Sequence, residues 1–165
     1  MVGISFLGNH AVFAQLVRRD DGLKIDDYGE VPLQQVLANI SDVRKNDFQS
    51  EVRRIFADVQ RRLTSSDRTF SLIIPSEWLH YYFIPVQSSL DDEGKQLFLR
   101  WEFSQRLGEF SNRLDTRLFP FEQHEDQDAV LFVAFPRGLL ELLTTVATDL
   151  DILIESVEID LFAGW

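Results

Sequence analysis

The chain has 165 residues, of which 45% are hydrophobic, a formal net charge of -11 and no cysteine. That length and apolar content suit one compact domain, or two small lobes sharing a core, and the missing thiols exclude disulfides, thiolate metal sites and cysteine catalysis. The acidic balance argues against a nucleic-acid partner, because binding a phosphate backbone needs a local surplus of Lys and Arg that displaces counterions.

Val2 to Leu16 reads as two apolar strands around a tight Gly8-Asn9 turn, a residue pair that tolerates the positive φ of short hairpins. A second polar turn, Arg18 to Gly22, leads into a third strand with Leu23, Ile25 and Tyr28 as its apolar members. Gln34 to Asn46 is a polar connector without a period. Asp47 has N-cap chemistry, and Phe48, Val52, Ile55, Phe56, Val59 and Leu63 recur at spacings of three and four, which predicts a helix with one buried stripe. Its Arg53, Arg54, Arg61 and Arg62 are interleaved with Glu51 and Asp58 at ion-pairing spacing, so they read as a solvated face rather than a binding patch. Thr64 to Asp67 ends the helix, and Thr69 to Ile74 is an apolar strand closed by Pro75-Ser76.

From Trp78 the chain turns aromatic. Tyr81 to Val86 is a strand whose Pro85 suggests an edge or an end. Ser89 to Glu93 places capping and acidic residues at the start of a helix that runs to Leu107, and Gly108 and Asn112 break it. Leu97, Phe98, Leu99, Trp101, Phe103 and Leu107 cover more than one stripe, which predicts burial on two sides, or on one side with a partner on the other. Thr116 to Phe121 and Ala129 to Phe135 form an antiparallel pair across the acidic turn Glu122 to Asp128. Pro136 opens a last helix with Leu139, Leu142, Leu143, Val146 and Leu150 inside, and Ile152 to Phe162 is a closing strand. The order is β-β-β-α-β followed by β-α-β-β-α-β.

Few side chains carry a chemical signal. His124 with Glu125, Asp126 and Asp128 offers imidazole and carboxylates, but adjacent residues in a hairpin diverge, so the segment reads as a solvated turn. His10 and His80 have no carboxylate at an informative spacing, and no Gly-x-Ser-x-Gly elbow places a nucleophile. A nuclease built on a ribonuclease H-like core needs an acidic residue on the first strand for two-metal catalysis, and Ser5 stands there.

Taken in order, these elements and several motifs resemble the N-terminal half of the PilM family, actin-like cytoplasmic components of the type IV pilus and competence machinery. The family's opening Gly-Ile-Asp-Ile-Gly-Ser-Ser-Ser-Val-Lys aligns with Gly3 to Val12, and its Gly-Glu-x-Pro-Leu with Gly29-Glu30-Val31-Pro32-Leu33. Leu72 to Ser76, Phe83-Ile84-Pro85-Val86, Trp101-Glu102-Phe103-Ser104-Gln105 and Val157 to Ala163 are similar to later family motifs, and Leu114-Asp115-Thr116 weakly so. The resemblance implies an α+β fold: a ribonuclease H-like, actin-like first lobe (β-β-β-α-β) over residues 1-77, completed by strand 152-165, with a strand-helix-strand-strand module inserted at 78-151.

Departures from the family bear on function. Its phosphate hairpin has Asp, Gly and Lys where this chain has Ser5, Leu7 and Val12, so that only Gly8 and Asn9 keep turn chemistry. A hydroxyl does not replace a carboxylate in holding hydrated magnesium. The second phosphate hairpin and the adenosine motif belong to a lobe that the match does not include. The expectation is therefore a non-catalytic scaffold or adaptor with no cofactor, no metal and no catalytic residue. The alternative is a nucleotide-binding actin-like ATPase subunit whose second lobe is missing or supplied by another chain.

Expected interface residues are Trp78, Tyr81, Tyr82, Phe98, Trp101 and Phe103, with less weight on Phe110, and core packing is the competing reading for each. The resemblance implies as partner the cytoplasmic tail of a PilN-like inner-membrane protein; self-association into a homo-oligomer is the other expectation. The start lacks a basic segment followed by an apolar one, and no apolar run approaches the roughly 18 to 20 residues that span a bilayer. A cytoplasmic protein, peripheral to the inner membrane through its partner, is expected.

Overall fold

The computed structural model describes residues 1-34, 46-64, 68-87, 89-122 and 127-160. Most of the Gln34 to Asn46 connector, the helix stop at 65-67, the turn at 123-126 with His124, and residues 161-165 lie outside the described residues, as does the side chain of Phe110. The chain divides into two compact units, Met1-Trp78 with Gly138-Trp165, and Leu79-Arg137.

Unit 1 is built on β1 (Val2-Leu7), β2 (His10-Arg19), β3 (Gly22-Pro32), β4 (Thr69-Ile74) and β8 (Leu153-Ile159), in the spatial order β3-β2-β1-β4-β8. The first three strands form an antiparallel meander, whereas β4 lies parallel to both β1 and β8. Helices α1 (Asn46-Arg62) and α3 (Leu139-Asp149) belong to this unit and contact each other. One face of the sheet is closed: Val2, Ile4 and Phe6, Ala11 and Phe13, and Phe70, Leu72 and Ile74 are all buried. So are Phe48, Val52, Ile55, Phe56 and Val59 along α1, each worth about 1.5 to 3 kcal/mol when taken out of water. Phe56 meets Phe70 edge-on with ring centroids 5.8 Å apart.

Two details set the shape of the meander. Gly29 lies under the Phe13 ring, whose carbons sit 3.0 Å from where a Cβ would stand, so a side chain here displaces the aromatic. Between Gln15 and Leu16 the register of β2 against β3 shifts, with Gln15 opposite Asp27 and Leu16 opposite Ile25, which leaves Asp26 as the extra residue of a bulge. The bulge turns Leu23 and Ile25 to the same side as Tyr28, away from the helices. All three apolar members of the third strand are therefore exposed.

The outer edge of β3 is tied down by α1. Arg54 Nη2 donates to the Pro32 carbonyl and Arg62 Nη1 to the Glu30 carbonyl, both at 2.6 Å. Arg54 is held in turn by the buried Glu51 and by Asp58, and the hydrogen bond that it donates to Glu51 is the main reason that its pKa stands above the ordinary arginine value, with burial opposing. Glu51 also accepts from the Gln34 N-H at 2.6 Å.

Unit 2 comprises β5 (His80-Gln87), α2 (Asp92-Leu107), β6 (Leu114-Glu122) and β7 (Gln127-Pro136), with antiparallel sheet order β5-β7-β6. Ile84, Val86, Phe132 and Ala134 from the sheet, Leu99 and Leu107 from α2, and Leu114 form its core. The N-cap of α2 is Asp91, whose carboxylate accepts from the Gly94 N-H at 2.8 Å, and Gly108 ends the helix at φ +50.

Three expectations change. The module does not extend to Asp151, because α3 is part of unit 1: Leu139, Leu143, Val146 and Ala147 are buried, and Arg53 of α1 pairs with Asp149 at its end. The units therefore divide after Trp78 and Arg137. Pro136 ends β7 instead of opening α3, which starts after Gly138 in a left-handed conformation. Asp47 sits within the first turn of α1, not ahead of it.

Candidate functional site

The β1-β2 hairpin is the first candidate. Its turn is Gly8-Asn9, with Gly8 at φ +37, and Ser5 stands directly opposite Val12. Because Ile4, Phe6, Ala11 and Phe13 point to the helices, strand alternation puts Ser5, Leu7 and Val12 together on the other face. Ser5 is flanked there by Val12 and Ile73. These three positions offer one hydroxyl and no charge. Asn9 is already engaged, its side chain 2.8 Å from His10 Nδ1 and its carbonyl accepting from the Leu33 N-H at 2.8 Å.

Just beyond the C-terminal ends of β4 and β8, Asp160 supplies a carboxylate, the group that holds metal in phosphoryl-transfer sites. Here it caps the short turn after β4. One oxygen accepts from the Ser76 N-H at 2.9 Å and the other lies 3.3 Å from the Ser76 hydroxyl. Among the described residues no three His, Asp or Glu side chains gather as a metal site would require.

The second candidate is the aromatic surface expected after Trp78, and the structure disperses it. Trp78 is only 6% exposed and belongs to unit 1, where its ring centroid lies 5.1 Å from that of Phe6 and 5.6 Å from that of Phe48. It is a core residue and leaves the interface set. Tyr82, Phe98 and Phe103 pack against the unit 2 core, with Phe103 4.7 Å from Phe132 and Arg106 stacked 5.2 Å over the Tyr82 ring.

Tyr81 and Trp101 remain exposed, on opposite sides of unit 2. Tyr81 points away from α2, since its neighbours Tyr82 and Ile84 face the helix side of the sheet, and the exposed Phe83 follows on the same face. Trp101, 56% exposed, stands one turn from Leu97, 60% exposed, on the side of α2 turned from the sheet. The helix is thus buried on one side and presents an apolar pair on the other. Phe83 and Leu97 were missing from the expected interface, although strand alternation from Tyr81 and helical spacing from Trp101 both point to them.

No family model and no curated protein matches this sequence. Solved structures do. A chain of the PilM-PilN type IV pilus biogenesis complex superposes with a TM-score of 0.71 at 12% identity, covering 99% of this chain and 48% of that one. The fold is that of PilM. The cytoplasmic domain of EpsL, an inner membrane component of the type II secretion system of Vibrio cholerae, matches with a TM-score of 0.56 at 7% identity over 95% of this chain and 56% of its own. Both are actin-like ATPase-fold proteins, so the α+β, actin-like architecture expected from the motifs is established. The chain spans about half the length of these PilM and EpsL structures. Among the described residues no helix is long and apolar enough to cross a membrane.

Proposed function

We propose that this chain is a non-catalytic scaffold or adaptor of a type IV pilus or related secretion assembly, which binds a protein or peptide partner at the cytoplasmic face of the inner membrane. The observation that carries the non-catalytic part is the hairpin face, where Ser5, Leu7 and Val12 present a single hydroxyl to the place in which the family holds metal and phosphate. Phosphate binding draws on oriented N-H groups, cations and metal-bound carboxylates. In this chain the Asn9 side chain, the Asn9 carbonyl and the Asp160 carboxylate are already committed to internal hydrogen bonds. Calorimetric titration with ATP and magnesium is expected to give no heat of binding, and a micromolar, magnesium-dependent affinity overturns the reading.

The adaptor part draws on the likeness to PilM, solved in complex with PilN, and on the exposed apolar residues of unit 2. The partner in this reading is the cytoplasmic tail of a PilN-like inner-membrane protein, which also supplies the link to the membrane. A fluorescent peptide of such a tail from the same cell is expected to bind saturably, and the absence of binding by the folded chain counts against the partner. The second reading, a nucleotide-binding actin-like ATPase subunit, draws on the likeness to the actin-like ATPase fold of PilM; in that case ATP binds with micromolar, magnesium-dependent affinity.

A further inference from the structure

Helix α2 carries two stripes, and the second one faces away from the unit that the first one holds together. Leu99 and Leu107 are buried against the sheet of unit 2, with Phe103 packed beside them. On the other side Gly94, Leu97, Trp101 and Ser104 follow the alternating spacing of the a and d positions in a coiled-coil seam. Leu97 and Trp101 are both exposed. Leu90, in the turn ahead of the helix, extends this side, since its Cδ2 lies 3.5 Å from where a Cβ on Gly94 would stand.

The residue just before each a position, the g position, flanks such a seam and helps to choose its partner and direction. Here these residues are Glu93 and Arg100, both exposed. Arg106 is engaged by Glu102, but neither Glu93 nor Arg100 has a side-chain partner among the described residues. Opposite charges at successive g positions of one helix are self-complementary when two copies run antiparallel, because g then faces g. In a parallel pair g faces e, where Phe98 and Gln105 offer no charge.

We propose that α2 is the contact through which two copies of this chain pair, antiparallel about a two-fold axis near Gln96. That register sets Glu93 of each copy against Arg100 of the other, lays Leu97 over the bare Gly94 and brings Trp101 to Leu90. The notch at Gly94 has a local cause. A Cβ there would come within 2.9 Å of the Asp91 carboxylate oxygen that caps the helix, so the cap itself keeps the seam open to a neighbour's Leu97. The four g charges of the contact cancel, whereas the net charge of -11 on each chain opposes association at long range and is screened by salt. One helix pair makes a small interface, so pairing in the micromolar range is expected. Tyr81 and Phe83 lie on the far side of the unit 2 sheet, so this pairing and the binding of a tail there can fail separately.

The test is sedimentation equilibrium of the full chain at physiological salt, from micromolar to submillimolar concentration. A monomer-dimer equilibrium is expected, and Trp101→Ser should weaken it by about thirtyfold or more. Leu97→Ser serves if Trp101→Ser lowers the melting temperature. Glu93→Arg and Arg100→Glu should each weaken pairing by about tenfold, because each sets like charges together across the axis. Mixing these two variants joins a chain with two basic g positions to one with two acidic ones, and should restore the affinity to within about threefold of the parent chain. A folding defect in either variant cannot produce that recovery. A chain that stays monomeric throughout the range overturns the proposal, and so does a dimer that neither Trp101→Ser nor Leu97→Ser weakens, or a mixture that pairs no better than its components.

Discussion

Both units set a sheet against helices, but they dispose of their apolar residues differently. In unit 1 the stripe of α1 and the alternate residues of β1, β2 and β4 are withdrawn almost completely from water on one side. In unit 2 a single helix covers a three-stranded sheet, half-buried aromatics close the core, and Tyr81, Phe83, Leu97 and Trp101 stay outside. The same residue types therefore mean different things in the two halves. In the first, an apolar residue on a helix is evidence of core. In the second, with roughly 60 residues and little interior to fill, it is as often evidence of surface.

The difference can be broken by mutation, and the largest effect is expected deepest in unit 1. Phe56→Ala removes a fully buried ring that packs edge-on against Phe70 and should cost about 3 to 5 kcal/mol in urea unfolding. A loss below about 1 kcal/mol shows that the core is looser than its burial suggests. Phe103→Ala, from a half-buried ring against Phe132, should cost about 2 kcal/mol. Hydrogen exchange should then show lost protection in β5 and β7 with β1 and β4 unchanged; a uniform loss means that the units unfold together. Asp91→Ala removes the side-chain cap of α2 and is expected to cost about 1 kcal/mol, read as faster exchange at Gly94 and Lys95. Smallest of all, Trp101→Ser should change stability by no more than about 0.5 kcal/mol, because its ring faces solvent. A cost several times larger identifies Trp101 as a packed residue and removes the contrast between the units.

Much of this arrangement was legible in the residues. The spacing of Phe48, Val52, Ile55, Phe56 and Val59 is dictated by helix geometry and admits few alternatives, and the Gly8-Asn9 turn fixes where β1 ends and β2 begins. What was not legible depends on distant partners. Pattern alone cannot tell that Trp78 turns back between Phe6 and Phe48, or that α3 joins α1 after a long excursion through unit 2. Nor does an alternating reading of β3 reveal the bulge at Asp26, which exchanges the faces of every residue before it. At the candidate site, the loss of charge at Ser5, Leu7 and Val12 was visible from the start. The commitment of Asp160 to Ser76 depends on β4 and β8 ending side by side, which the sequence does not show.

The arginines along β3 have a consequence for how concentrated this protein can become. A sheet grows sideways, toward fibres, by offering unpaired carbonyls at its rim to the next chain. Arg54 and Arg62 spend their guanidinium groups on the Pro32 and Glu30 carbonyls, and Asp26 bends the remainder of that rim. An incoming strand therefore finds two of the β3 carbonyls already taken and the rest of the edge bent out of line, which weakens pairing along this side of the sheet.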